Sequence, residues 1–109
     1  MSTYFSYRPS DLSRIPPRSQ DSHKGTYGRV LVVGGASCMS GAAYFSAKAA
    51  YRTGAGLVRI LTHKDNRVIL QAQLPEAILS VLGDDVEQEK EKILDAVAWA
   101  DVIVIGVGL

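Results

Sequence analysis

From residue 28 onward the chain alternates short apolar runs with longer amphipathic stretches. Arg29-Val30-Leu31-Val32-Val33 is a continuous β-branched run without polar alternation, the pattern of a strand buried on both faces in a parallel sheet. Residues 41–53 place Ala43, Ala47, Ala50 and Gly54 at helical spacing, with Tyr44, Lys48 and Arg52 on another side. A stripe of such small residues lets a helix lie close against a sheet. Leu57-Val58-Arg59-Ile60-Leu61 follows as a second strand, so the three elements form a βαβ unit with an expected right-handed crossover. The alternation then predicts a short helix over 66–73, a strand over 77–82, a helix over 86–100 and a strand over 102–105. Val86, Ile93, Val97 and Ala100 share one side of the last helix, and Glu87 with Lys90 and Glu89 with Lys92 are spaced to pair. Strands alternating with helices define an α/β domain with a mostly parallel sheet.

Residues 1–22 read differently, as an amino-terminal arm or linker. Ser10 and Asp11 are cap candidates for a one- or two-turn helix that ends before the Pro16-Pro17 pair. At the other end the apolar fourth strand runs into Gly106-Val107-Gly108-Leu109 with no helix after it. The reading is therefore of the front portion of a larger domain, whose uncovered sheet favours a homo-oligomer.

Composition narrows the class. Hydrophobic residues make up 47% and charged residues 21% of the 109, too apolar for a disordered chain. The net charge of +1 gives no excess to drive nucleic-acid or anionic-membrane binding. A single cysteine, Cys38, excludes an internal disulfide, and neither a leader nor an apolar run near the about twenty residues of a membrane span is present. The expectation is a soluble, cytoplasmic protein.

Three glycine clusters bear on phosphate chemistry. Gly34-Gly35-Ala36-Ser37-Cys38-Met39-Ser40-Gly41-Ala42 lies between a strand and its helix, where free N–H groups can meet an anion. It lacks the Gly-Lys-Ser/Thr of a Walker A loop and the spacing of the dinucleotide fingerprint. Gly54-Ala55-Gly56 precedes a strand and reads as a helix terminator. Gly106-Val107-Gly108 follows the fourth strand at its carboxyl end, where ligands bind in open α/β sheets, and reads equally as a tight turn. His23 and His63 have no partners at metal spacing and are loop histidines, so no metal site is assigned. Cys38 is a bystander with no visible base, and Asp84-Asp85 is turn chemistry. No nucleophile, base and orienter can be assembled, so no catalytic residue is assigned.

Taken together, His23-Lys24-Gly25-Thr26-Tyr27-Gly28-Arg29-Val30, Gly34-Gly35, Met39-Ser40-Gly41-Ala42-Ala43, Arg52-Thr53-Gly54-Ala55-Gly56-Leu57-Val58, Leu74-Pro75-Glu76-Ala77 and Gly106-Val107-Gly108-Leu109 resemble the amino-terminal part of the ADP- or ATP-dependent NAD(P)H-hydrate dehydratases of the ribokinase-like superfamily. The resemblance implies a three-layer αβα fold, with residues 23–109 as the first portion of the domain. It implies a repair lyase that uses ATP or ADP with Mg²⁺ to remove water from hydrated NADH or NADPH (NADHX, NADPHX), phosphorylation making the ring hydroxyl a good leaving group. It also implies an NAD(P)H-hydrate epimerase domain or protein as a partner. The family's base, an aspartate in a GTGD segment, is not in this sequence, so residues 1–109 alone are expected to be inactive.

By motif match the resemblance places substrate contacts at Ala43 and Gly108, with Ala43→Trp expected to block entry without unfolding. Val107 stands where the family has proline, which keeps an N–H and loosens the turn. Two other readings stay open: a ribokinase-like kinase of a vitamin precursor or sugar, and a non-catalytic truncated subunit that binds nucleotide or oligomerises.

Overall fold

The β-branched runs pair side by side, all in the same direction. A computed structural model of the chain describes residues 6, 8–14, 28–106 and 108. Strands β1 (Arg29–Val33), β2 (Leu57–His63), β3 (Ile78–Leu82) and β4 (Val102–Ile105) form one parallel sheet in the order β3-β2-β1-β4. Their registers align Val32 with Ile60 and Val104 on one face, while Leu31 and Leu61 lie on the other. The second strand runs two residues beyond the predicted 57–61.

Helices α1 (Ser40–Arg52) and α2 (Arg67–Gln73) make the successive steps from β1 to β2 to β3. Both pack on one face, where Val32, Val58 and Ile60 meet Ala43, Ala47, Leu70 and Leu74. Helix α3 (Lys90–Trp99) carries the chain back to the opposite edge, and packs on the other face through Ala96 against Leu31 and Leu61. Reversing both the direction of travel and the face keeps one handedness of crossover. The result is the expected three-layer αβα arrangement.

The alanine stripe behaves as its spacing demands. Ala43 and Ala47 are fully buried and Ala50 packs on the same core. Helix α1 then stops in a Schellman turn: Gly54 has φ +109°, its N–H donates to the Tyr51 carbonyl (3.1 Å), and the Ala55 N–H reaches back to Ala50 (3.0 Å). Glycine supplies the left-handed residue there, and β2 begins three residues later.

The buried face of α3 differs from the one read in the sequence. Ala96 is buried, with Ile93 and Ala100 packed beside it, whereas Val86 and Val97 are exposed. For Val86 the cause is a break in the helix. Val86–Glu89 is a 3₁₀ turn, begun by Asp85, whose carboxylate accepts the Glu87 N–H at 3.1 Å. Its three-residue period shifts the phase, and the α-helix restarts at Lys90. Glu89 and Lys92 pair at 3.1 Å, and Lys92 also donates to the Val81 carbonyl. On the same face Arg59 lies over the Trp99 ring, 4.6 Å from its centroid, with Asp95 3.7 Å away. This stack covers the β2 end of the α3 core.

Strand β4 is different in kind: Val102, Ile103, Val104 and Ile105 are all exposed, with Ile105 at 66%. In the amino-terminal part, Pro9–Arg14 is a 3₁₀ helix that begins before both cap candidates; Asp11 lies in its first turn and its carboxylate reaches back to accept the Arg8 N–H at 2.9 Å. The Pro16-Pro17 pair, His23 and the rest of 15–27, with Val107 and Leu109, lie outside the described residues. Among those described, no helix is long and apolar enough to cross a membrane.

Candidate functional site

In the order β3-β2-β1-β4 the chain leaves β1 toward β2 and later returns to its other side, so the topology switches between β1 and β4. In open α/β sheets the crevice at the carboxyl ends of the strands at such a point is where ligands bind. Two loops meet there, residues 34–39 after β1 and the glycine turn after β4. They are joined by a hydrogen bond from the Ala36 N–H to the Gly108 carbonyl, at 2.6 Å.

The first of these loops is held from beneath. Gly35 has φ +77°, and its carbonyl accepts the Thr62 hydroxyl (2.8 Å), the Asn66 carboxamide (2.8 Å) and the His63 N–H (3.1 Å). Asn66 also donates to the Ala36 carbonyl at 3.1 Å. A Cβ at position 35 would stand 2.5 Å from Thr62 Oγ1, so both the backbone angle and the space call for glycine. Farther along, Cys38 is exposed with φ +65°, and the Ser37 hydroxyl donates to Asp65 at 2.8 Å.

Both residues marked by the resemblance border Gly35. The Ala43 methyl lies 3.3 Å from where a Gly35 Cβ would be, and a Cβ on Gly108 (φ +66°) would come within 3.1 Å of the Ala42 methyl and 3.7 Å of Gly35 N. Ala43 itself points into the core and is fully buried. The expectation that Ala43→Trp would plug the site without unfolding is therefore corrected: an indole has no room between α1 and Val32, and the change would break the packing first.

A hollow of about 150 Å³ opens beside the loop at the carboxyl ends of β1, β2 and β3, with Val33, Leu61, His63, Leu82 and Val86 among its walls. His63, read from the sequence as an unpartnered loop histidine, has two partners here. Its Nδ1 accepts the Asp65 N–H at 3.1 Å, which places the proton on Nε2, and Nε2 is 2.8 Å from Asp84 Oδ1. That hydrogen bond, with the charge of Lys64 nearby, holds the exposed Asp84 carboxyl below its ordinary 3.8. Asp85 keeps the turn role expected of it, while Asp84 is the histidine's partner.

The site thus consists of small residues and backbone edges, suited to a flat ligand pressed against peptide groups. Among the described residues no three His, Cys, Asp or Glu side chains are grouped to hold a metal ion, and the loop 34–41 carries no lysine. These residues do not fit a nucleotide's phosphates or Mg²⁺, and no step through those groups is derived from them. Thr62 and Asn66, which shape the loop, were not singled out in the sequence. The available signal was a Thr and an Asn four residues apart at the end of an otherwise apolar strand.

The arrangement is that of a ribokinase-like α/β domain, and the comparisons with known proteins go further. The profile of the NAD(P)H-hydrate dehydratase family matches residues 30–109. A Streptococcus thermophilus ADP-dependent (S)-NAD(P)H-hydrate dehydratase is 48% identical over 101 residues, covering 91% of this chain and 34% of that protein. The bifunctional NAD(P)H-hydrate repair enzyme Nnr of Escherichia coli K12 is 40% identical over 95 residues, covering 87% of this chain and 17% of the enzyme. Among solved structures, a ribokinase-like superfamily protein from Enterococcus faecalis V583 superposes with TM-score 0.77 at 35% identity, over all of this chain and 38% of that one. The ADP/ATP-dependent NAD(P)H-hydrate dehydratase of Bacillus subtilis, co-crystallised with ATP and Mg²⁺, gives 0.59 at 27% identity over 83% of this chain and 41% of that one. The chain belongs to the NAD(P)H-hydrate dehydratase family of lyases. It spans about a third of the length of the Streptococcus thermophilus relative.

Proposed function

We propose that residues 23–109 form the substrate-contacting front of an NAD(P)H-hydrate dehydratase domain preceded by a 1–22 arm, and that the full-length protein restores hydrated NADH or NADPH at the cost of ADP or ATP. The observation that carries this reading is the 2.6 Å bond between Ala36 N–H and the Gly108 carbonyl. It joins the β1 loop to the β4 turn across the switch point, with Gly35 and Ala42 against the same seam. Gly108 contacts the substrate directly, and Ala43, fully buried, acts on the site by packing under Gly35. The residues here keep a neutral, rigid floor on which the nicotinamide half is oriented.

The names of the relatives support the choice of donor, one being ADP-dependent and one co-crystallised with ATP and Mg²⁺. The bifunctional Escherichia coli relative supports an epimerase domain or protein as partner. A cytoplasmic location and a homo-oligomer that covers β4 belong to the same proposal. Residues 1–109 alone carry no turnover in this reading, since the described residues offer no phosphate clamp and no base at the seam.

The test is to mix full-length protein with hydrated NADH or NADPH, ADP or ATP and Mg²⁺ and follow the reduced-nicotinamide absorbance. Recovery by the full protein and none by residues 1–109 is expected. Phosphorylation of a sugar or vitamin precursor with no action on the hydrates overturns the reading in favour of a kinase.

A further inference from the structure

We infer that Asn66 is a positioning residue of this site, holding the Gly35–Ala36 peptide so that its far side meets Gly108. What the loop does rests on the functional reading above, whereas how the loop is held does not. An asparagine at the start of a helix ordinarily caps it. Asn66 stands at the start of α2 but makes no side-chain cap bond. Its Nδ2 instead donates to the carbonyls of Gly35 (2.8 Å) and Ala36 (3.1 Å) and to Thr62 Oγ1 (3.1 Å). Three oxygen acceptors around one nitrogen fix the orientation of the carboxamide. The Thr62 hydroxyl donates its own hydrogen bond to the Gly35 carbonyl, so the network runs in one direction, from Asn66 and Thr62 into the loop. Asn66 and Thr62 are 1% and 2% exposed, leaving water no route to replace them.

The geometry of a single peptide unit makes this matter for the site. The Gly35 carbonyl and the Ala36 N–H belong to one planar trans unit and point in opposite directions. Fixing the carbonyl inward, on Thr62 and Asn66, aims the N–H outward at the Gly108 carbonyl. Rotation of that plane would release both ends together. Packing alone does not set its angle, because Gly35 has no side chain to lodge.

The test compares Asn66→Ala and Thr62→Val with the conservative Thr62→Ser in the full-length protein. Two quantities are read: amide hydrogen exchange by residue, and KM against kcat for hydrated NADPH. Asn66→Ala and Thr62→Val should speed exchange at Ala36 by at least about tenfold while Val32 and Ile60 stay protected. KM should rise on the order of tenfold with kcat within about twofold, and Thr62→Ser should retain wild-type behaviour in both. Unchanged Ala36 exchange and KM in folded Asn66→Ala, or a loss spread evenly over the strands, overturns the inference. If Asn66→Ala does not fold, the Thr62 pair gives the same reading, and unchanged Ala36 exchange in Thr62→Val counts against it. Absence of hydrate turnover in the wild type defeats the functional reading, and Ala36 exchange then decides the hold of Asn66 by itself.

Discussion

The carboxyl ends of β1 and β2 and the strand β4 lie side by side in one sheet, yet they are built on opposite principles. At the first, two buried polar side chains converge on a single carbonyl, and a glycine sits where a methyl would clash. At the second, four consecutive apolar residues are exposed. The difference separates specified geometry from available surface. Hydrogen bonds among buried groups fix an angle, because leaving one unmade is costly. Apolar exposure fixes no angle and only favours whatever covers it.

Substitutions should therefore hurt at the first region and be tolerated at the second. Gly35→Ala carries the largest expected effect, about 3 kcal/mol or more of lost stability, combining a left-handed backbone with a contact 2.5 Å from Thr62 Oγ1. Gly41→Ala is its control: nothing lies within 4 Å of the new methyl, and within α1 it should be neutral or stabilising by up to about 1 kcal/mol. Chemical denaturation of the pair measures both, and equal effects would erase the contrast.

Thr62→Val keeps the shape and removes the hydroxyl, so it should cost about 1 to 3 kcal/mol in the same measurement. Ile105→Lys should change the stability of the 109-residue chain by less than about 0.5 kcal/mol. If the surface of β4 drives association, the same change lowers the apparent mass in light scattering at high concentration; no change in mass would place association elsewhere.

The smallest effect concerns Asp84. Its carboxyl is held below 3.8 chiefly by the His63 hydrogen bond, so the linked stability is present above that ordinary value and is lost as pH falls through the lowered one. Titration of the Asp84 carboxyl by NMR should show a midpoint under 3.8, moving up toward it in His63→Leu. An unmoved midpoint would assign the shift to Lys64.

The same contrast explains what could be read from the sequence. The four strands were legible because continuous β-branched runs admit few other readings, and the Ala43, Ala47, Ala50 stripe fixed the buried face of α1. Val86 was placed on the wrong face because a 3₁₀ turn at Val86–Glu89 breaks the phase, and Val97 because the buried stripe runs through its neighbour Ala96. Two of the glycine clusters mark loops that meet at the switch point. Thr62 and Asn66 stayed hidden because their partner, Gly35, lies 27 and 31 residues away in sequence, and the pairing exists only once β1 and β2 are aligned. His63 likewise gains Asp84 from a loop 21 residues downstream.

The most direct test of the account is to map where hydrated NADPH touches the full-length protein, by amide chemical shifts or by exchange protection. The account predicts changes concentrated at Gly35, Ala36, Ala42 and Gly108, with the exposed side of α3 around Leu94 unaffected. Changes centred on α3 that leave the Ala36–Gly108 seam untouched would contradict it.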